Sequence, residues 1–353
     1  MTLVIFALVG LVLGIGAERL IGPSRSAQDA ALGGAPAPGR PSRRRSRKRI
    51  LGYGSLVVVI LVLAAAIGGY LWASSVFDKI EKVDVASQLS HGSSGTNYLL
   101  VGSDNGRTDT DQREGVSGAR SDTIMVLNIR DGKAKMLSLN RDLWVDNPRT
   151  GQKGRINATY QDAEGQADPA NLITAVTQNF QIPIDHYIEI DFVSFGGLVD
   201  SFGGIDVNFP NPAFDLASGL NQPAAGLQHL DGDQALAYVR SRHYTEVIDG
   251  QNVQDPSSDL GRVQRQQVFL REIMSKAGKK RNPITLLSAA SKMSNGLRID
   301  NEMSMLEAGR FAWSMGKLNP ETVVLPTTPR TTSGGAAVLD VGDGADAVLS
   351  QFR

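Results

Sequence analysis

Residues 118–145 read GARSDTIMVLNIRDGKAKMLSLNRDLWV, and this stretch decides the fold. It predicts two strands, over residues 122–129 and 134–139, joined by a tight turn at Asp131 and Gly132, a pair typical of short β-hairpins. The first strand contains the unbroken apolar run Ile-Met-Val-Leu, which is typical of a strand buried on both faces. We therefore expect this hairpin to lie in the middle of a sheet.

Charged residues flank the hairpin at its open end. Arg120 and Asp122 stand at the start of the first strand, and Arg141 and Asp142 follow the second. Because a hairpin returns the chain to the side where it began, these four groups should gather at one sheet edge. Arginine and aspartate clustered there suit a polyanion bound with a metal ion. Salt bridges that cap the sheet are the alternative interpretation.

Charge is distributed unevenly along the 353 residues. Residues 1–50 carry nine of the 36 basic and two of the 36 acidic residues, and residues 51–73 carry none. Residues 74–353 therefore hold 27 basic and 34 acidic residues, a net charge of −7. This balance excludes a general nucleic-acid-binding role for the main domain. The chain has no cysteine, which excludes disulfides and thiolate chemistry.

One apolar segment predicts a membrane span. Residues 51–73 are uncharged and long enough to cross a bilayer as a helix. The basic block RRRSRKR ends the preceding linker, residues 23–50, and is typical of a segment that stays in the cytoplasm. A juxtamembrane spacer (74–95) and a catalytic domain (96–353) should then lie outside the cytoplasm, attached to the cell membrane. A buried soluble helix is the alternative for the apolar segment.

The amino-terminal residues 1–22 contain a second, shorter apolar segment at positions 2–17. It predicts either a short transmembrane segment with its start outside the cell or an atypical signal segment. No charged region precedes it, which argues against a signal peptide, so we favour two spans.

Strands and helices interleave after residue 96, which predicts an α/β fold with a mixed central sheet between helices. Residues 214–226 read as a loop, followed by a helix through 235–237. Residues 238–243, YVRSRH, are then predicted to be extended, which would point Arg240 and Arg242 the same way.

The clearest helical pattern covers residues 259–280. At about 100° per residue, Asp259, Arg262 and Gln266 fall within about 60° of one another. Apolar positions continue the same stripe: Val263, Leu270, Ile273 and Met274. The pattern suits a polar head group against the first two turns and an apolar tail against the rest. A helix whose first turns emerge into solvent is the alternative.

Seven segments, in this order, resemble the LytR–CpsA–Psr family of cell-wall glycopolymer ligases: LLVGSDNGR (99–107), RSDTIMVLNI (120–129), LSLNRDLWV (137–145), INATY (156–160), IDFVSFGGLVDSFGGIDV (190–207), GLQHLDGDQALAYVRSRH (226–243) and DLGRVQRQQVFL (259–270). The sequence departs from the family pattern in three places. Asn140 stands where a proline is usual, the loop between Asp104 and Asp122 is long, and a further amino-terminal span is present.

The resemblance implies a membrane-anchored phosphotransferase. It would take a glycopolymer from a polyprenyl pyrophosphate carrier and transfer its phosphoryl-linked sugar to a hydroxyl of peptidoglycan. The lipid would lie in an apolar pocket with the pyrophosphate at its mouth, and no nucleic acid would be involved. The polymer would be teichoic-acid-like or arabinogalactan-like. The second choice follows from a composition rich in alanine, glycine and arginine, which is typical of high-GC actinobacteria.

The resemblance also implies roles for particular residues. Asp104 and Asp122 would bind Mg²⁺, or Mn²⁺ in its place, bridged to the pyrophosphate. Asp259 would orient Arg242 or Arg262, and Asp142 would support the site. The phosphates would be surrounded by Arg120, Arg141, Arg240, Arg242, Arg262 and Gln266. Five of these residues would be catalytic: Arg120, Asp122, Arg141, Arg240 and Arg242.

Two other functions are compatible with these residues. A polyprenyl-pyrophosphate hydrolase would use the same site with water as the acceptor. A non-catalytic protein that binds wall polymer or regulates transcription is the other, but the basic block is expected in the cytoplasm and the motifs outside it.

Overall fold

The computed structural model describes residues 44–90, 95–104, 120–256, 259–280, 282–315 and 317–353. The predicted short span at 2–17 and most of the loop before Arg120 lie outside these residues. The first described helix, α1, covers Arg44–Phe77. The chain divides into two compact units after Val62, and the second unit, 63–353, holds the last turns of α1 and everything that follows.

Within the described residues, one helix is long and apolar enough to cross a membrane. It is the Leu56–Phe77 part of α1, with 22 residues and a mean hydropathy of 2.5. None of its most apolar window is buried inside the protein. It overlaps the predicted span at 51–73 and continues further, to Phe77.

The rest of the chain alternates strands and helices. The strands are β1 (Glu81–Val83), β2 (Thr96–Asp104), β3 (Arg120–Arg130), β4 (Lys133–Leu139), β5 (Trp144–Asp146), β6 (Lys153–Arg155), β7 (His186–Asp191), β8 (Ile205–Phe209), β9 (Ala213–Asp215), β10 (Leu220–Gln222), β11 (Gly226–Leu230), β12 (Thr245–Ile248), β13 (Gln251–Gln254), β14 (Leu297–Asp300), β15 (Glu321–Val324), β16 (Thr327–Thr331) and β17 (Ala337–Val341). The helices after α1 are α2 (Pro169–Phe180), α3 (Phe192–Ser201), α4 (Gly232–Arg240), α5 (Asp259–Lys279), α6 (Pro283–Met293), α7 (Met305–Met315) and α8 (Ala345–Leu349).

Seven strands form the central sheet, in the order β1-β14-β7-β2-β3-β4-β15. The pairs β1/β14, β7/β2 and β4/β15 are parallel, and the other pairs are antiparallel. The predicted mixed sheet is therefore confirmed.

The hairpin of β3 and β4 is also confirmed and lies inside this sheet. Asp131 and Gly132 form its turn with φ of 50° and 73°, the positive values that a tight two-residue hairpin turn requires. Val126 and Leu127 of β3 are fully buried although they face opposite sides of the sheet. Burial on both faces is what the unbroken apolar run predicts.

Each face of the sheet carries its own apolar layer. On one face, Val126 and Leu137 pack against α2 and the carboxyl-terminal Phe352. On the other, Leu127 and Met136 pack against residues of α5 and α7. A third cluster joins α3, α4 and α5 to the smaller strands β8 to β11. The sheet thus lies between helices, as predicted.

The first part of the predicted spacer at 74–95 packs against the domain. Val76, Ile80 and Val85 are buried, and β1 joins the edge of the central sheet beside β14. The apolar positions in this segment pack into the domain and leave α1 joined to it without a loose linker.

Candidate active site

The backbone positions of the residues that were predicted to gather at one sheet edge do lie at that edge. Asp104, the last residue of β2, pairs with Arg120, the first residue of β3. On the other side of β3, Leu139 ends β4 opposite Ile124, so Arg141 follows directly at this edge. The side chains of Asp104, Arg120, Asp122 and Asp259 lie outside the described part of the chain.

A β-bulge marks the same edge. Gly102 pairs with Thr123 while the next residue, Ser103, pairs with Ser121, which leaves Asp122 as the extra residue of β3. Bulges bend a strand, change the direction of its side chains and are frequent beside active sites. The side chains of a regular strand point alternately to the two faces of the sheet, and this rule therefore does not apply at Asp122.

The turn after β4 positions Arg141 and Asp142. Asn140 is buried, and its side-chain oxygen accepts the N–H of Asp142 at 2.9 Å. The amide thus holds a tight turn at the position where proline is usual in the resembled family. The Asp142 carboxylate lies 3.6 Å from Nε of Arg141 and 3.1 Å from Nε of Arg155. The supporting role of Asp142 in the site stays a prediction.

The prediction of an extended segment over 238–243 is wrong in part. Helix α4 starts at the cap Asp231 and continues through Arg240. Ser241 is extended, with φ −60° and ψ 126°, and Arg242 lies in the bend that follows. Arg240 and Arg242 therefore belong to a helix end and a bend, and strand geometry does not align their side chains.

A buried carboxylate that sequence reasoning missed holds this bend. Asp215 is 1% exposed. Its Oδ2 accepts hydrogen bonds from Ser241 Oγ (2.7 Å) and from the N–H groups of Arg242 and His243 (2.9 Å each). Its Oδ1 accepts the N–H of Ala217 at 2.9 Å. Burial alone would raise the pKa of Asp215, but these hydrogen bonds lower it below its usual value.

Arg265 fixes the same bend from the other side. It is 7% exposed and donates from Nη2 to the Ser241 carbonyl at 2.6 Å. Its Nη1 lies 3.4 Å from the Asp255 carboxylate, and its guanidinium lies 4.8 Å from the centre of the Tyr244 ring. The backbone on which Arg242 stands is thus attached to α5 as well as to β9.

Helix α5 brings the two halves of the site together. Arg262, in its first turns, is 2% exposed, and Gln266 is half-buried one turn later. Arg265 donates to the residue after α4, Ser241. Gln267, which follows Gln266, donates to Ser138 of β4 at 3.0 Å. The beginning of α5 therefore lies between the exit of β4 and the bend that carries Arg242.

Further along α5 the packing becomes apolar. Leu270 packs against Met125 and Leu127 of the sheet, and Phe311 and Met315 of α7 cover the same face. We call these five residues the apolar layer. The polar-then-apolar character predicted for this helix is confirmed by the burial of its later residues Ile273 and Met274.

Beneath the sheet edge lies a second buried carboxylate that the sequence did not indicate. Glu189 of β7 is 1% exposed and accepts hydrogen bonds from Ser103 Oγ and Tyr160 Oη at 2.6 Å and from Tyr187 Oη at 2.7 Å. Arg298 donates to it at 3.0 Å. Burial, followed by the charge of Glu189, raises the pKa of Tyr187 well above its usual value. This network fixes Ser103, the neighbour of Asp104.

The metal site implied by the resemblance can be judged only from the positions of its residues. Among the described side chains, no group of three or more histidine, cysteine, aspartate or glutamate residues could hold a metal ion. Asp104 and Asp122 nevertheless stand at the ends of neighbouring strands, and two carboxylates with phosphate oxygens form a donor set that Mg²⁺ accepts.

The fold and site together define a class: α/β proteins with a mixed central sheet, an apolar amino-terminal helix, and arginine and aspartate positions gathered at one sheet edge. A profile of the LytR_cpsA_psr family matches residues 70–344. The chain belongs to the LytR–CpsA–Psr family.

Individual relatives agree with this assignment. The chain is 33% identical over 297 residues to the "Probable cell wall biosynthesis protein LcpB" of Corynebacterium glutamicum, which covers 80% of this chain and 66% of that protein. It is 29% identical over 243 residues to a "Polyisoprenyl-teichoic acid--peptidoglycan teichoic acid transferase TagU" of Bacillus mycoides, covering 65% and 72%. The structure of the "LytR-Csp2A-Psr enzyme from Actinomyces oris" superposes with a TM-score of 0.63 at 25% identity, over 77% of this chain and 95% of that one.

Proposed function

We propose that this chain is a cell-wall phosphotransferase that moves a glycopolymer from a polyprenyl pyrophosphate carrier onto peptidoglycan. The observation that carries the proposal is the attachment of α5 to Ser138 of β4 through Gln267 and to Ser241 through Arg265. The buried Arg262 lies on the same helix, one turn before Arg265 and Gln267. In this proposal, the attachment brings arginines from distant parts of the sequence to one sheet edge. The names of the LcpB and TagU relatives support a role in cell-wall assembly.

The arginines would neutralise the pyrophosphate. A guanidinium group binds phosphate oxygens through two parallel hydrogen bonds and keeps its charge at any physiological pH. Arg141 and Arg262 are mostly buried, where such contacts are stronger than in water. In this proposal the phosphates are bound by Arg120, Arg141, Arg240, Arg242, Arg262 and Gln266.

The reaction would exchange the phosphoanhydride bond of the pyrophosphate for a phosphoester bond to peptidoglycan. A peptidoglycan hydroxyl oxygen forms a bond to the phosphorus next to the sugar, the bond to the polyprenyl phosphate breaks, and the hydroxyl proton passes to a carboxylate at this edge. Asp104 and Asp122 would hold Mg²⁺, or Mn²⁺, which supplies positive charge to the phosphate oxygens when bound. The fixed arginines would stabilise the charge that develops on the leaving phosphate.

The polyprenyl tail would lie in the apolar layer between the sheet, α5 and α7. The layer begins where the polar first turns of α5 end, so a head group beside Arg262 leads directly to Leu270. The domain would lie outside the cytoplasm, because the basic block at the start of α1 favours retention of that end inside the cell. The polymer would be arabinogalactan-like or teichoic-acid-like.

The experiment is a transfer assay with the full chain in detergent or proteoliposomes. A synthetic polyprenyl-pyrophosphate glycan is incubated with peptidoglycan, with Mg²⁺ or with a chelator. We expect glycan on the peptidoglycan and polyprenyl monophosphate in equal amount, both dependent on the metal. Monophosphate released at the same rate without peptidoglycan would identify a hydrolase instead, and bound lipid with no turnover would contradict catalysis.

A further inference from the structure

Helix α7 has two faces of different character. Phe311 packs against the sheet, with its ring centre 4.5 Å from that of Tyr98, and Met315 joins the apolar layer. On the opposite face, Leu306 is 55% and Trp313 is 40% exposed. At about 100° per residue, Arg310 lies about 40° from Leu306 and about 60° from Trp313, so the three share one face. We call Leu306, Arg310 and Trp313 the outer face of α7.

The start of α7 lies beside the end of the membrane helix. Phe77, the last residue of the apolar span, packs in one cluster with Ile80, Met303 and Ala308 of α7. Val76 and Ile80 are buried, and the ammonium group of Lys82 lies 3.4 Å from the centre of the Phe77 ring. The end of the span and the first turns of α7 are therefore in direct contact.

The composition of the outer face is that of a helix at a membrane surface. Tryptophan is enriched where acyl chains meet headgroups, and arginine and lysine are attracted to anionic lipid. Arg310 supplies a positive charge on the outer face, and exposed Lys317 follows just after the helix. The acidic Glu307 is engaged at the helix start, where it accepts hydrogen bonds from Ser304 N and Oγ.

We propose that the outer face of α7 lies on the bilayer surface, against anionic phospholipid headgroups, as a second membrane contact beside α1. The inference rests on the membrane anchoring in the proposed function but not on the transfer reaction. The inner face of α7 contributes Phe311 and Met315 to the apolar layer. This contact would therefore also place that side of the proposed lipid site at the membrane from which the lipid comes.

The test uses the absence of cysteine from the chain. Full-length Leu306→Cys and Arg310→Cys variants are labelled with the environment-sensitive fluorophore NBD and reconstituted in vesicles of phosphatidylcholine and phosphatidylglycerol. The matched control is Gln178→Cys, an exposed position on α2, which packs on the other face of the sheet. Quenching is measured with aqueous iodide and with doxyl-labelled phospholipid.

We expect labels at 306 and 310 to emit at shorter wavelength than the label at 178 and to be quenched by doxyl lipid. We also expect iodide to quench them at least about threefold less, because the interface excludes it. Adding Lys317→Glu to the Leu306→Cys variant should restore part of the iodide quenching. Labels at 306 and 310 as open to iodide as the label at 178 would overturn the proposal.

Shielding that persists in detergent and grows with protein concentration would show contact with a second copy and would also overturn it. These readouts do not depend on glycan transfer. Lost transfer with intact shielding would count against the proposed function alone.

Discussion

At the residue scale, Arg262 is the most informative of the proposed phosphate-binding groups because it is nearly fully buried. Removing one fixed contact to the phosphates should cost about 2–4 kcal/mol of transition-state stabilisation, a roughly 30- to 1000-fold fall in rate. We therefore expect Arg262→Ala to lose transfer by that factor in an assay with saturating lipid. Arg262→Lys should also fail, because it keeps the charge but not the two parallel hydrogen bonds.

The matched control is Arg271→Ala, an exposed arginine on the same helix. It should transfer at the wild-type rate and melt at the wild-type temperature. Wild-type transfer by Arg262→Ala would refute the phosphate-binding role. Lost transfer together with a collapsed melting temperature would indicate a structural ion pair.

Asp122 carries the prediction on the metal. Asp122→Asn keeps the size of the side chain but removes the charge that Mg²⁺ requires. We expect transfer to fall and its dependence on Mg²⁺ concentration to move to higher values, with the circular dichroism spectrum unchanged. Full activity of the wild-type chain in excess chelator would contradict the role of both Asp104 and Asp122.

Asp215 predicts a dependence of stability on pH. Because its hydrogen bonds hold the pKa below the unfolded value of about 3.9, its stabilising effect is present above that pH and is lost as the pH falls through the folded-state pKa. Asp215→Asn should therefore unfold at lower denaturant concentration than the wild type at pH 7, with the difference shrinking toward pH 3. Ser241→Ala removes a single donor and should cost roughly 1 kcal/mol. An equal difference at both pH values would contradict this origin.

At the element scale, the crossing of α3 and α4 sets the position of Arg240. A Cβ atom on Gly232 would come within 2.5 Å of the carbonyl oxygen of Gly196, so the two helices approach as only glycine allows. Gly232→Ala should separate them, destabilise the fold by roughly 1–3 kcal/mol and lower transfer by moving the end of α4. Chemical denaturation and the transfer assay measure the two effects.

Gly309 on α7 provides the control for this substitution, since no described heavy atom beyond its chain neighbours and the adjacent backbone of its own helix lies within 4 Å of its Cβ position. Gly309→Ala should stabilise the fold by roughly 1 kcal/mol through helix propensity, with transfer unchanged. Equal tolerance of alanine at 232 and 309 would show that the helix crossing is not constrained.

The elements that the sequence predicts well are those with local signals. The Asp131-Gly132 turn and the apolar run before it determine the β3–β4 hairpin, and this places Arg141 at the site edge. The prediction ended α4 too early, because the burial of Tyr238 and Val239 continues the helix to Arg240. Such packing depends on distant elements and is not visible in a short window.

Asp215 was missed for a related reason. It lies in β9, a three-residue strand that overlaps the start of the region 214–226, which reads as a loop. Its partners Ser241, Arg242 and His243 stand 26 to 28 residues away. Only the fold brings them together. The nearest signal in the sequence is that an aspartate stands among apolar residues.

At the scale of the whole molecule, the basic block at the start of α1 predicts the orientation of the domain. Alkaline phosphatase fused after Arg353 should be active and green fluorescent protein at the same position should be dark, because the first requires export and the second fails after it. Replacing RRRSRKR at 43–49 by neutral residues should weaken this bias. A fluorescent fusion to the unmodified chain would contradict the proposed location and the function that depends on it.

Residues 76–85 pack directly against the domain, and if α1 spans the membrane, this packing would hold the domain at a short distance from the bilayer. An enzyme joined to its membrane helix by a long linker can reach glycan strands deep in the wall. An enzyme that packs directly against the end of its membrane helix can reach only the glycan strands next to the membrane. If the proposed function holds, attachment is then ordered in space: polymer joins peptidoglycan in the innermost layer and moves outward as newer strands are laid beneath it. The packing at Phe77 would therefore determine that glycan strands receive their polymer soon after synthesis, while they still lie next to the membrane.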